Sequence, residues 1–127
     1  MFAACNSLVT AMAELPAEIL ADSCYYSMFE NCKGLTSTPI IRGITASKHS
    51  CRNMFSGCTS LISTQEELYI ETVNSYSCSN MFYGCIALEK APYLPALILV
   101  NNCYASMFYG CTNLVNVPQI LPATTLA

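Results

Sequence analysis

The sequence predicts an α/β repeat fold, a solenoid of about five units of 26–27 residues that each hold a short helix and a short strand. A Met-Phe pair recurs at Met1, Met28, Met54, Met81 and Met107, so successive pairs lie 27, 26, 27 and 26 residues apart. In every unit a Cys stands three residues after the Phe, and a Leu stands three residues after that Cys. We expect residues 1–127 to form a single array, truncated at both ends, whose units start near these methionines.

The predicted helix lies between the two cysteines of each unit. Cys51, Met54, Phe55 and Cys58 stand at i, i+3, i+4 and i+7, which places them on one stripe of a helix. The residue before the second Cys is Gly or Asn in four units, and these types accept the left-handed backbone at which helices end. The predicted helix ends are Asn31, Gly57, Gly84 and Gly110, and the candidate N-caps are Asp22, Asn74 and Asn101.

The predicted strand follows the Leu of each unit and often ends at Pro, so it must be brief. Stacked strands lie about 4.8 Å apart whereas packed helices need roughly 8–10 Å, so we expect a curved stack with a strand-lined concave face. The two residues after each Leu should point outward from this face and contact partners. They are Val9 and Thr10, Thr36 and Ser37, Ile62 and Ser63, Glu89 and Lys90, and Val115 and Asn116, and the last four pairs are the candidate partner-binding residues.

The composition excludes several classes of protein. Apolar residues make up 54% of the chain and charged residues 10%, so the chain must bury surface and is not disordered. A formal charge of −3 provides no basic patch for nucleic acid. No apolar run approaches the roughly 18 residues of a membrane-spanning helix, and the first residues lack the features of a signal peptide.

Nine cysteines admit four interpretations. Burial as small core residues is favoured, because the cysteines recur in register with Met, Phe and Leu. Disulfides are less favoured, since equivalent cysteines on packed helices would lie too far apart. The spacing does not match a zinc knuckle. A thiol enzyme would use His49, the only histidine, but its neighbour Cys51 has equivalents in units without a histidine.

Other reactive or exposed groups give no catalytic, cofactor-binding or metal-binding residue. Glu66, Glu67 and Glu71 cluster in a degenerate unit that lacks the prolines of the others, and they are interpreted as a solvated edge. Tyr83 and Tyr109 occupy a position that holds Glu or Ser in other units, which predicts that they face water.

The blocks M-F-S-G-C-T-S-L and M-F-Y-G-C-T-N-L resemble the A-F-x-G-C-x-x-L signature of BspA-type leucine-rich repeat proteins, over essentially the whole chain. The period also falls within the 20–29 residues of leucine-rich repeats, so the solenoid is expected to be leucine-rich-repeat-like. This unit is longer than the usual BspA unit and adds a Cys before Met-Phe. The resemblance implies a surface or secreted adhesion protein.

The sequence therefore favours a non-catalytic interaction module that binds other proteins or host surface and matrix components. A purely structural spacer that carries another domain is the alternative. The ends of this chain lack polar capping units, so we also expect end-to-end self-association.

Overall fold

Seven two-residue strands, all parallel to their neighbours, form the regular secondary structure of the computed structural model, which describes residues 1–115 and the strand at residues 125–126. No helix occurs in this part of the chain. The strands are β1 (Glu14–Leu15), β2 (Ile19–Leu20), β3 (Ile40–Ile41), β4 (Thr45–Ala46), β5 (Thr72–Val73), β6 (Ile98–Leu99) and β7 (Thr125–Leu126).

Each strand pairs with the equivalent strand of a neighbouring unit. Strands β2, β4, β5, β6 and β7 form a five-stranded sheet, and β1 pairs with β3. Ile19 is the partner of Thr45, and Thr45 is the partner of Thr72, so partners lie 26 or 27 residues apart. The register of the sheet therefore follows the period of the sequence, and the units stack directly on one another.

The predicted fold class, an α/β leucine-rich-repeat-like solenoid with a short helix in each unit, is wrong. Between the two cysteines, alternate residues donate their backbone N–H group to the next unit, as Tyr25 does to the carbonyl of Ser50 at 2.8 Å. The residues between them donate within the same turn, as Tyr26 does to the carbonyl of Ser23 at 3.2 Å. About half of the N–H groups of each segment therefore donate to the next unit, whereas in an α-helix the N–H groups donate to carbonyls of the same helix.

Every fourth residue of these segments has a left-handed backbone. The positive φ expected at Gly57, Gly84 and Gly110 is confirmed, at 74°, 69° and 78°, but these residues do not end helices. Two further columns of stacked positions, formed mostly by Ser and Asn, share this conformation, and no α-helix can contain it at such intervals. These columns are Ser23, His49, Tyr76 and Asn102, and Ser27, Asn53, Asn80 and Ser106.

The core consists of columns of equivalent side chains. The rings of Phe2, Phe29, Phe55, Phe82 and Phe108 stack with centroids 5.4–5.7 Å apart and interplanar angles of 1–8°. This distance is close to the spacing of strands and well short of the roughly 8–10 Å that helices need. This spacing excludes helices from the Met-Phe side of the stack. The predicted curvature assumed helices on that side, so the reason for predicting it no longer applies.

One side chain replaces a missing strand in the middle unit. Ile41 donates its N–H group to Gln65 Oε1 at 2.7 Å, and Gln65 Nε2 donates back to the Ile41 carbonyl. The β1–β3 sheet ends here, and pairing resumes at the bridge between Glu67 and Tyr93. The unit that lost its prolines therefore keeps its place in the stack through an amide side chain.

Changing Gln65 to Leu should lower the free energy of unfolding by about 1–3 kcal/mol, because the two backbone groups of Ile41 lose their partners. Urea unfolding provides the measurement. The exposed neighbour Glu66, changed to Gln, is the control and should alter stability by less than about 0.5 kcal/mol. Equal effects of the two changes would contradict this role for Gln65.

Changing Gly84 to Ala should cost about 1 kcal/mol, because a Cβ disfavours the left-handed backbone. The cost is conformational, since an added Cβ would meet no atom closer than the Gly57 nitrogen at 4.0 Å. Thermal unfolding of both variants provides the measurement. Asn31 occupies the same column at φ 58°, so Gly84→Asn should cost less stability than Gly84→Ala. A larger loss for Asn than for Ala would refute this explanation.

Candidate interaction surface

The residues that directly follow each block Leu form a continuous column across five units. Thr36 donates its N–H group to the Val9 carbonyl at 3.2 Å, and Ile62 donates to Thr36 at 3.0 Å. Glu89 donates to Ile62 at 3.4 Å, and Val115 donates to Glu89 at 3.0 Å. The backbone therefore brings these sequence-predicted positions together, one from each unit.

The second member of each pair lies beside this column. Thr10 pairs with Ser37, and Ser37 pairs with Ser63, through parallel bridges. Thr36 and Ser37 are half-buried, whereas the later members, Ile62, Ser63, Glu89, Lys90 and Val115, are exposed. Asn116 lies outside the described residues. We name the described residues of the two columns the paired-column surface, and contact with a partner stays a prediction for it.

An exposed aliphatic strip on the five-stranded sheet was missed by the sequence reasoning. Ile19 is 75% exposed, Leu97 55% and Ile98 53%, and Ile44 lies beside them. In β2, β4 and β5 the second residue is buried, so the strip occupies the outward positions, which Ile19 and Ile98 share with Thr45 and Thr72. Strands are expected to show alternating exposure, which is the pattern that could have identified this strip. These strands lie in the proline-containing half of the unit, where strand propensity is low, so the pattern was not recognised.

One ion pair joins neighbouring units at the edge of this strip. Arg42 Nη2 lies 3.2 Å from Glu14 Oε2, and its guanidinium lies 5.9 Å from the centre of the Tyr69 ring. Both charged side chains are largely exposed, so the pair contributes little to stability. Of the three glutamates expected to form a solvated edge, Glu66 and Glu71 are exposed and Glu67 is half-buried.

The second Cys of each block has a specific role in stacking. Its thiol donates to the carbonyl of the block Phe in the preceding unit, a carbonyl that already accepts a local N–H group. The side chain is thus small enough for the core and still supplies a donor. The four bonds are Cys32 to Phe2 at 2.9 Å, and Cys58 to Phe29, Cys85 to Phe55 and Cys111 to Phe82, each at 3.1 Å.

The first cysteines of the blocks are divided between two columns. Cys51 donates its N–H group to the Ser77 carbonyl, which aligns Cys51 with Cys78. In the two units with one extra residue, tyrosines take this position, since Tyr25 aligns with Cys51 and Cys78 aligns with Tyr104. The shifted cysteines, Cys24 and Cys103, instead align with the buried Ser50 and Ser77.

Burial is confirmed for six of the nine cysteines, while Cys5 and Cys24 are exposed and Cys111 is half-buried. All nine are free thiols. The distance argument against disulfides was wrong in its premise, because the units stack more closely than packed helices. The structure nevertheless uses the second cysteines as hydrogen-bond donors and not as cross-links.

The buried thiols are poor nucleophiles. Burial raises the pKa of Cys58 to about 12 and raises the pKa of Cys85 as well. A hydrogen bond with the Cys78 side chain, together with burial, raises the pKa of Cys51. Since the thiolate is the reactive form, these groups are protonated and inert near neutral pH.

His49 does not serve a thiol. Its ring stacks on Tyr76 at 5.4 Å, and its Nδ1 atom lies 3.4 Å from Arg52 Nη1. Among the described residues, no group of three or more His, Cys, Asp or Glu side chains could hold a metal ion. The same part of the chain contains no helix long and apolar enough to cross a membrane.

The raised pKa of Cys58 predicts a loss of stability in alkaline solution. Between its ordinary value of 9.0 and about 12, the unfolded chain releases a proton that the folded chain retains. The contribution of the Cys58 thiol to the free energy of unfolding should therefore be fully present below pH 9 and should decrease above it. The decrease is up to roughly 1.4 kcal/mol per pH unit for a fully buried thiol.

Urea unfolding at a series of pH values, with a reducing agent present, measures this slope. Cys58→Ala should be less stable at neutral pH and should show a shallower alkaline slope than the unchanged chain. Parallel slopes for the two proteins would contradict the assignment.

Comparisons with known proteins give one structural likeness. No protein-family model matches the sequence, and no curated protein matches it. Among solved structures, the chain is similar to a leucine rich cell surface protein from Faecalibacterium prausnitzii, with 22% identity and a TM-score of 0.47. The match covers 72% of this chain and 22% of that chain, so this chain spans about a fifth of that protein's length.

Proposed function

We propose that this chain is a non-catalytic interaction module of a cell-surface or secreted protein, which binds other proteins or host surface and matrix components through the paired-column surface. The observation that carries the proposal is the hydrogen-bonded column from Val9 to Val115, which places one outward position from each unit side by side. A partner that spans several units would contact all of them at once.

Side chains vary along this column although its backbone does not. The positions change from Thr36 to Ile62 to Glu89, whereas the buried columns repeat Phe, Met, Leu or Cys in nearly every unit. Backbone bonds join the outward positions of all five units, and the one side-chain bond within the column, from Thr36 Oγ1 to the Val9 carbonyl at 3.3 Å, joins only the first two. The side chains of the later units are therefore free to differ. Such variation suits recognition, in which the differences between units create a specific surface.

The chemistry of the thiols supports binding over catalysis. The thiols of Cys32, Cys58, Cys85 and Cys111 donate stacking bonds, and burial raises their pKa, which keeps them protonated near neutral pH. The surface location is supported by the resemblance of the F-x-G-C-x-x-L blocks to BspA-type proteins, which are surface or secreted.

The double change Glu89→Ser and Lys90→Ser tests the paired-column surface. Both side chains are exposed, so the free energy of unfolding should change by less than about 0.5 kcal/mol. Capture of the chain by a panel of immobilised matrix proteins and host-cell surface extracts should weaken about tenfold for the member that binds. The double change Glu30→Ser and Lys33→Ser is the control, because it removes the same two charges on the turn side of one unit.

Three results would decide against the proposal. Unchanged capture by the first variant with loss in the control would move the site to the turn side. Equal loss in both would indicate non-specific charge effects. No capture by any member of the panel would favour a structural spacer.

A further inference from the structure

A polar cleft of about 530 Å³ crosses four successive units at the entry to their turn segments. Stacked units lie about 4.8 Å apart, so a cleft across four of them is roughly 15 Å long. This length suits an extended oligomeric ligand. Besides two serines, the cleft is lined by Asp22, Lys48, Asn74, Tyr76, Asn101 and Asn102.

One face of an aromatic ring lies at the centre of the cleft. Tyr76 has a left-handed backbone, at φ 58°, and belongs to the column of His49 and Asn102. The His49 ring covers one face of Tyr76, with the two ring planes 21° apart, and the guanidinium of Arg52, which contacts His49, lies 5.7 Å from the centre of the Tyr76 ring. In the next unit the position holds Asn102, which has no ring to cover the second face. That face carries the negative side of the ring quadrupole and attracts partially positive C–H groups.

Hydrogen-bonding groups surround this ring, and several have unused capacity. Asp22 Oδ1 accepts the backbone N–H group of Lys48 at 3.1 Å, which holds the carboxylate in place while its second oxygen stays available. Asn74 Nδ2 donates to the Ala46 carbonyl at 3.1 Å, which leaves the amide oxygen as an acceptor. Within the described residues, no hydrogen bond uses the side-chain amides of Asn101 and Asn102.

The lining selects a class of ligand. No aliphatic side chain lines the cleft, so it offers no apolar pocket for the side chains of a peptide. The charges of Asp22 and Lys48 oppose each other, so a polyanion such as nucleic acid gains little. Pairs of hydroxyl groups, which both donate and accept, match a surface of amides, hydroxyls and one carboxylate.

We propose that this cleft binds an oligosaccharide, with one sugar ring packed on the open face of Tyr76 near Asn101 and Asn102 and the hydroxyl groups of a further ring bonded to Asp22. The site lies on the turn segments, away from the paired-column surface, and does not depend on it. It adds recognition of glycans to a module whose proposed partners are macromolecules.

Nuclear magnetic resonance titration of the ¹⁵N-labelled chain tests the proposal. The panel contains short oligosaccharides of neutral hexoses, of N-acetylhexosamines, and of sugars with a carboxylate, together with a polar peptide of similar length. At least one sugar should shift the amide resonances of Tyr76, Asn101 and Asn102 in a saturable manner. Lys48→Gln should weaken only the carboxylated members if the carboxylate is recognised.

Two variants keep the test independent of folding defects. Tyr76→Asn removes the ring and retains a residue type that accepts the left-handed backbone, and it should weaken sugar binding about tenfold. Asn101→Ala, at an exposed position, should weaken binding several-fold. The control is Tyr83→Ser, a remote exposed tyrosine whose equivalent in the preceding unit is Ser56, and it should leave binding unchanged.

Several outcomes would overturn the proposal. They are the absence of saturable shifts with any sugar, shifts with the peptide alone, or equal weakening by Tyr83→Ser and Tyr76→Asn. Sugar binding should persist in the Glu89→Ser and Lys90→Ser double variant. Its loss there would place the sugar on the paired-column surface and refute a separate cleft.

Discussion

The distance between neighbouring units is the constraint on which the rest of this structure depends. Phe rings of successive units stack 5.4–5.7 Å apart, and parallel strands on other sides of each unit keep the same register. At this spacing the backbone of each unit must bond to the next along the turn segments as well as along the strands. The chain meets this demand with a left-handed residue at every fourth position, which turns alternate N–H groups toward the neighbouring unit.

Close stacking also decides which side chains the core accepts. A column position is shared by five or fewer side chains that touch face to face, so identical residues pack best and Phe repeats without exception. The Phe carbonyl accepts a second donor from the next unit, and Cys is small and apolar enough to supply it inside the core. In the two units with one extra residue, Tyr takes the position of the first Cys, and that Cys lies one position earlier, in the column of Ser50 and Ser77.

The two proposed binding surfaces both consist of residues outside the buried columns. Buried columns and backbone bonds hold most of the stack together, so most outward side chains can differ from unit to unit. The paired-column surface varies from Thr36 to Glu89 along one line of backbone bonds. The polar cleft forms where His49 and Tyr76 stack but Asn102 ends the run of rings. Each surface depends on differences between units that are otherwise alike.

The sequence by itself determined the repeat, its period, the buried residues of the blocks around Met54 and Met81, and the left-handed glycines. Cys51, Met54, Phe55 and Cys58 are buried as their spacing predicts, because a backbone that repeats every four residues also turns i, i+3, i+4 and i+7 inward. For the same reason the spacing could not separate this backbone from a helix. Only the tertiary structure decided the absence of helices, the role of Gln65 and the polar cleft. Each depends on contacts between residues about 26 positions apart, whose distance no local pattern encodes.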